Sequence, residues 1–412
     1  MKAGPLAHPP FRWLVAARTT ALVGNAVAPL ALAFAVLDLT GSARDLGVVV
    51  AARSIANVAV LLGGGVIADR LPRNVVLVGT SIGAGLTQGV VAALVITGSA
   101  TIPLLIVFSV VNGALSAVSL PASSAIVPQT VPEEQLRPAN AILRLSVNAG
   151  AIVGASVGSV LVAAFGPGYG LAIDAGTFLL AALLFAFLRP KPRLTASPTE
   201  RDIPAASVIH DLASGWREFT RRRWVWIVVL QFMFVNGAFT GAIAVLGPLV
   251  ADHSFGRASW GLVLASETVG LLVGGLVALR WRPQHALGIG VALTATLAIP
   301  VLFLALIPVV PVLIAAFFVA GVAIEQFGIA WDQSLQQNIP AASLARVYSY
   351  DAAGSFIAIP LGEVLVGPLA ASFGLGPVIF ACGIVVIAAA GCAAAAPSVR
   401  RLRIPPLPPA QP

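Results

Sequence analysis

Gly64-Gly65-Val66-Ile67-Ala68-Asp69-Arg70-Leu71-Pro72-Arg73-Asn74 is a short polar stop between two long apolar blocks. The first block begins near residue 45 and the second runs to about residue 97. Between them there is room for a tight turn and nothing more. Roughly 20 mostly apolar residues on each side match a helix crossing a hydrocarbon core about 30 Å thick. Working outward, the alternation repeats along the chain. Spans are expected at 14–37, 45–67, 75–97, 102–125, 139–164, 169–188, 224–250, 258–279, 286–307, 310–331, 345–371 and 375–396. The fold class is therefore an all-α membrane protein with twelve transmembrane helices.

Composition agrees. Of the 412 residues only 10% are charged and 58% are hydrophobic, against roughly 25% charged in an ordinary soluble domain. A soluble protein of this composition would have too little polar surface to cover its core. The formal charge of +8 raises the question of a nucleic-acid partner, and the placement of the charge answers it. The loops after spans 1, 3, 5, 7, 9 and 11 carry only Arg44 and Arg257. Nearly all other basic residues, among them Arg12, Arg70, Arg73, Arg189, Arg221, Arg222, Arg223, Arg280 and Arg400, fall on the opposite side. That asymmetry is a topology signal and puts both termini in the cytoplasm of a bacterial inner membrane. The lipid bilayer, not nucleic acid, is the large partner.

Corresponding features recur about half the chain apart. Phe165-Gly166-Pro167-Gly168 answers Phe373-Gly374-Leu375-Gly376 at an offset of 208, which also brings Gly154 onto Gly362. Gly64-Gly65 answers Gly274-Gly275, with Arg70 matching Arg280. Two pseudo-symmetric six-helix bundles follow, with a cavity between them. The expected division is 1–189 for the first bundle, 190–223 for a cytoplasmic linker, and 224–412 for the second bundle and tail. In the linker, Val208, Ile209, Leu212, Trp216 and Phe219 have helical spacing. They form an amphipathic helix that lies on the membrane surface or packs under the bundle.

The Gly65–Arg73 segment resembles motif A of the major facilitator superfamily, Gly-x-x-x-Asp-Arg-x-Gly-Arg, with Pro72 where glycine is usual. The stretches Leu37-Asp38-Leu39-Thr40-Gly41-Ser42-Ala43, Ala51-Ala52-Arg53-Ser54 and Pro138-Ala139-Asn140-Ala141 are similar to the drug-exporter branch of that superfamily. That branch includes macrolide-efflux proteins and the enterobactin exporter. The resemblance implies a gating role for Gly65, Asp69, Arg70 and Arg73, with Asp69 latching the bundles near the start of span 11. A carboxylate is stabilised by the partial positive charge of a helix N-terminus. The exporters' antiporter motif has a relative in Gly150-x-x-x-Gly154-x-x-x-Gly158, but Ala155 and Ser159 stand where proline and glycine occur there.

Ionisable groups within spans are costly and default to function. Glu267, Glu325 and Glu363 are the proton-coupling candidates, because burial in low dielectric favours a protonated carboxyl and fits it to carry a proton near neutral pH. Arg18, Arg53 and Arg144 are possible partners. Arg53 and Glu267 occupy corresponding places in spans 2 and 8, and the two candidate readings are a cross-bundle pair between them that breaks as the halves rock and a permanent interhelical pair. Substrate-binding candidates are Asn25, Arg53, Asn112, Arg144, Gln231 and Asn236, with Phe232 and Phe234 as further lining residues. Asp174 reads as structural, near the outer end of span 6.

No glycine-rich loop precedes Lys2 or Lys191, so a nucleotide-driven pump has no sequence support. No Ser/His/Asp set and no metal-ligand spacing is present, so neither catalysis nor a cofactor is expected. The reading is a monomeric secondary transporter that exports amphipathic small molecules in exchange for protons. Uptake or facilitated passage of a metabolite, and a non-transporting scaffold or sensor, are the alternatives.

Overall fold

The computed structural model describes residues 4–63, 72–188, 216–217, 219–281 and 283–402. The motif residues Gly65, Asp69 and Arg70, and nearly all of the 190–223 linker, lie outside them. Twelve membrane helices fill the rest. In the first half they are α1 Pro9–Thr40, α2 Ala43–Gly63, α3 Arg73–Ile96, α4 Ile102–Ala125, α5 Leu136–Phe165 and α6 Pro167–Ala186. In the second half they are α7 Arg223–Ser254, α8 Arg257–Arg280, α9 Ala286–Leu306 and α10 Val310–Asn338. The chain closes with α11, in two pieces Ala341–Phe356 and Ala358–Phe373, and α12 Leu375–Ala395.

The turns explain themselves locally. Gly166 and Gly374 end α5 and α11 at φ 92° and 88°, a backbone state that costs an L side chain and suits glycine. These two positions are the repeat pair seen in the sequence, so the same corner closes both halves.

Packing repeats as well. In the first half α1 lies against α5 and α6, α3 against α4 and α6, and α2 against α4. In the second half α7 lies against α11 and α12, α9 against α10 and α12, and α8 against α10. Two helix pairs do most of the joining across the halves, α2 with α11 and α5 with α8, and the repeat exchanges one pair for the other.

Lipid tails are as apolar as leucine, so helices in a bilayer gain little from apolarity alone and depend on close approach. Small residues supply it. Gly150, Gly154 and Gly158 seat α5 on Thr19, Val23 and Val27 of α1, within one bundle. One face round, Gly261 of α8 rests on Ala155 and Ser159 of α5, and the Ser159 hydroxyl donates to the Ala258 carbonyl at 3.0 Å. Gly47 of α2 seats on the Glu363 carbonyl of α11, and Gly367 of α11 on Ala43 and Arg44. The residues at the exporter motif's altered places are thus seam residues between bundles.

The seam lies toward the arginine-poor end. One apolar cluster there is built from both bundles, including Phe34, Leu46, Val49, Leu246, Trp260 and Phe317. Above it Arg257 binds Asp38 of α1 at 2.6 and 3.1 Å and Asp252 of α7 at 2.6 Å, and stands over the Phe34 ring. At the arginine-rich end the clusters are separate. One contains Phe11, Leu14, Val76, Ile126 and Phe185 of the first bundle. The other contains Trp224, Val228, Leu287, Trp331 and Val347 of the second. The described end of the linker joins the second: Trp216 and Phe219 pack on Tyr350.

Three odd-numbered helices of the second bundle are interrupted inside the membrane. α7 carries a π-helical stretch Gly241–Leu246, α9 a 3-10 turn Thr294–Leu297, and α11 a break at Ile357. Their counterparts α1, α3 and α5 run without interruption.

Candidate functional site

Halfway through the first bundle the helices turn polar side chains toward one another. Arg53, ten residues into α2, donates from Nη2 to Asn25 Oδ1 of α1 at 3.1 Å. Both line a cleft of about 150 Å³ together with Arg18, Asn112, Ser81 and Ser116. Every residue lining it belongs to the first bundle. The sequence placed the cavity between bundles, and this one lies inside a bundle: α1, α3, α4 and α6 carry enough serine, threonine and glycine to leave space among themselves.

Next to this cleft, Asp174 of α6 is fully buried. It accepts a hydrogen bond from Gln88 Nε2 of α3 at 2.6 Å, and its other oxygen has no partner among the described residues. Gly24 of α1 packs directly on it, and an added Cβ would overlap the Thr177 hydroxyl. Asp174 begins two turns into α6, roughly 10 Å from the helix end at 1.5 Å per residue. It lies within electrostatic reach of Arg53. An ionisable residue inside an apolar block was the available signal.

The three glutamates fall in three settings. Glu363 is 2% exposed and lies on the α2–α11 seam, where Ser54 Oγ donates to its Oε1 at 3.1 Å; Oε2 is buried without a partner among the described residues. Glu325 of α10 pairs with Arg144 of α5 at 3.7 Å, Arg144 being 77% exposed. Both contacts join one bundle to the other. Glu267 is part-buried in α8, and its backbone carbonyl seats Gly321 of α10. The candidate Arg53–Glu267 pair is not formed in this structure. α2 faces α11 and α8 faces α5, so corresponding positions on the two helices look at different partners. Arg53 instead holds Asn25 and lies within electrostatic reach of Asp174 and Glu363.

In the second bundle Gln231 Nε2 donates to Thr294 Oγ1 at 2.6 Å, at the 3-10 turn of α9. Asn236 Nδ2 donates to the Ser355 carbonyl at 2.8 Å, beside the break in α11. Phe232 stacks on Phe327 with centroids 4.3 Å apart. Phe234 is 51% exposed. Arg73 opens α3 and is the one member of its proposed gating set within the described residues.

Comparisons with known proteins agree on family and fold. Residues 14–363 match the family model described as Major Facilitator Superfamily. The multidrug efflux pump Tap of Mycolicibacterium fortuitum is 24% identical over 375 residues, covering 89% of this chain and 90% of its own. The enterobactin exporter EntS of Escherichia coli is 27% identical over 389 residues, covering 88% and 86%. Among solved structures, a bacterial homolog of the human lysosomal transporter Spinster, inward-facing and unoccupied, superposes with TM-score 0.73 at 16% identity over 95% of this chain and 97% of its own. The nucleoside transporter NupG, as a point mutant, gives TM-score 0.73 at 15% identity over 92% and 98%.

Proposed function

Because the chain belongs to the major facilitator superfamily, we propose that this transporter is a proton-coupled exporter of amphipathic small molecules in the bacterial cytoplasmic membrane. The arginine-rich end is cytoplasmic on this reading, and there the two bundles hold separate apolar clusters. Relatives described as a multidrug efflux pump and an enterobactin exporter favour export over uptake.

One observation carries the proposal: acids sit on the contacts that must break when the bundles rock. Ser54–Glu363 and Arg144–Glu325 each join the halves. Opening the arginine-poor end would part α2 from α11, expose the Glu363 carboxyl to the outside and let it take a proton. A neutral carboxyl is far cheaper than a carboxylate to bury again, so protonation would favour the return to the closed seam. Glu325, released from Arg144, and Glu267 would serve as further proton sites. Asn25, Arg53, Asn112, Arg144, Gln231 and Asn236 would contact substrate. Asp69, with Gly65, Arg70 and Arg73, would latch the cytoplasmic side when it closes. The chain would act as a monomer, with its surface in lipid.

Reconstituted protein tests this. In Glu267→Gln, Glu325→Gln and Glu363→Gln, counterflow of a transported dye should persist while accumulation driven by a pH gradient falls at least about tenfold, the scale of one lost charge-assisted contact. Gradient-driven accumulation intact in all three would remove these acids from coupling.

A further inference from the structure

The first-bundle cleft has more hydrogen-bond donors than acceptors to match. Arg18 and Arg53 both line it, and no carboxylate does. Arg53 is partly balanced, since it holds Asn25 and feels Asp174 and Glu363. Arg18 is not. It is part-buried in α1 and makes no hydrogen bond or ion pair among the described residues. In the same lining, Asn112 is 6% exposed and its Nδ2 is buried with no partner among the described residues. Arg18 lines the cleft without an acceptor and Asn112 Nδ2 is shut into its wall without one, both among the described residues, and an anion that drew on them would repay a desolvation cost.

The size of the cleft narrows the occupant. Pockets for whole drug-sized ligands run from roughly 300 to 1,000 Å³. This one is about 150 Å³, room for a headgroup and little else.

We propose that the cleft seats an anionic group of the transported molecule, a carboxylate, phosphate or sulfate, held by Arg18 and Asn112 with Arg53 behind them, while the apolar remainder lies between the bundles. This rests on the transport reading and adds the substrate's charge to it. The guanidinium supplies a planar fork that fits an oxyanion with two N–H donors. The Asn112 amide completes the set from the facing helix. The same chemistry would accept an anionic lipid headgroup entering from the bilayer, so the source has to be separated by experiment.

The test uses 1-naphthoate, its neutral amide 1-naphthamide, and inorganic phosphate, with the full-length protein in phosphatidylcholine nanodiscs. Binding is read from intrinsic tryptophan fluorescence and from thermal unfolding. Naphthoate should bind at least about tenfold more tightly than naphthamide, phosphate should compete with it, and Arg18→Gln should erase the preference. Arg18→Lys, which keeps the charge without the fork, should retain part of it. Should Arg18→Gln not fold, Asn112→Ala carries the test with a several-fold weaker naphthoate affinity. Equal affinity for acid and amide, or a preference that survives in the Arg18 and Asn112 variants, overturns the proposal. Naphthoate binding that weakens as phosphatidylglycerol is added makes the occupant a lipid headgroup and overturns the substrate assignment; indifference to that lipid supports it. Counterflow separates the two readings. Flux of a cationic dye with no anion preference sinks the anion seat alone. No flux of any compound sinks the transport reading, and the binding data then judge the cleft by themselves.

Discussion

Asp174 and Gln88 show how one buried pair supports the site around it. The carboxylate is fully enclosed and takes the Gln88 amide at 2.6 Å, while α1 presses Gly24 against it. Asp174→Ala leaves that amide unpaired in a dry interior and should cost about 1–3 kcal/mol of stability, seen as a lower midpoint in thermal unfolding. Asp174→Asn keeps an acceptor in place and should lose much less. Equal losses would mean the pair matters for its shape and not for its hydrogen bond. Residues of this kind were only half legible in the sequence. That an ionisable group inside an apolar block is costly can be read from one residue. Its partner cannot: Gln88 lies 86 positions away and Ser54 lies 309 from Glu363. The repeat misled on Arg53 and Glu267 for a related reason. A two-fold relation maps one position onto another without bringing them together, unless both lie on the axis.

At the scale of elements, helices meet where side chains are smallest. An added Cβ at Gly261 would overlap the Ser159 side chain and the Ala155 carbonyl, so Gly261→Ala should wedge α8 away from α5. Arg257→Gln should loosen the same end by removing the bonds to Asp38 and Asp252. With Asp38 44% exposed, that ion pair is worth about 0.5–1 kcal/mol, a few-fold shift in population, and the glycine change should exceed it. Leu246, wholly buried in the seam, reports both. In a background without Cys382 and Cys392, Leu246→Cys should react faster with an impermeant maleimide from the arginine-poor side in either variant. Unchanged rates in both would leave the seam without a gating role. Helix lengths show what hydropathy can and cannot read. The tenth apolar span was expected to stop at residue 331, yet α10 continues to Asn338. Apolarity marks where lipid ends, and a helix can run on into water with Asp332, Gln333, Gln336 and Gln337 along its last turns.

Across the whole molecule, the fold was open to reading because its signals are one-dimensional. Block length gives the spans, arginine placement gives the alternation, and paired corners such as Gly166 and Gly374 give the repeat. Which end closes is a matter of contacts between distant helices, and no such signal encodes it. The interruptions belong here too. Of six helices related in three pairs, α7, α9 and α11 are broken by a π stretch, a 3-10 turn and a kink, while α1, α3 and α5 are not. Such breaks commonly mark hinges and functional positions. The two halves of this carrier therefore differ in helix continuity although they share a plan. Breaks of this kind would let deformation during the cycle gather in the second half, with the first as its stator. Deuterium uptake should register the difference as faster exchange at Gly241–Leu246, Thr294–Leu297 and around Ile357 than at the matching depths of α1, α3 and α5. Matched protection on both sides would mean that the halves move as equally rigid blocks.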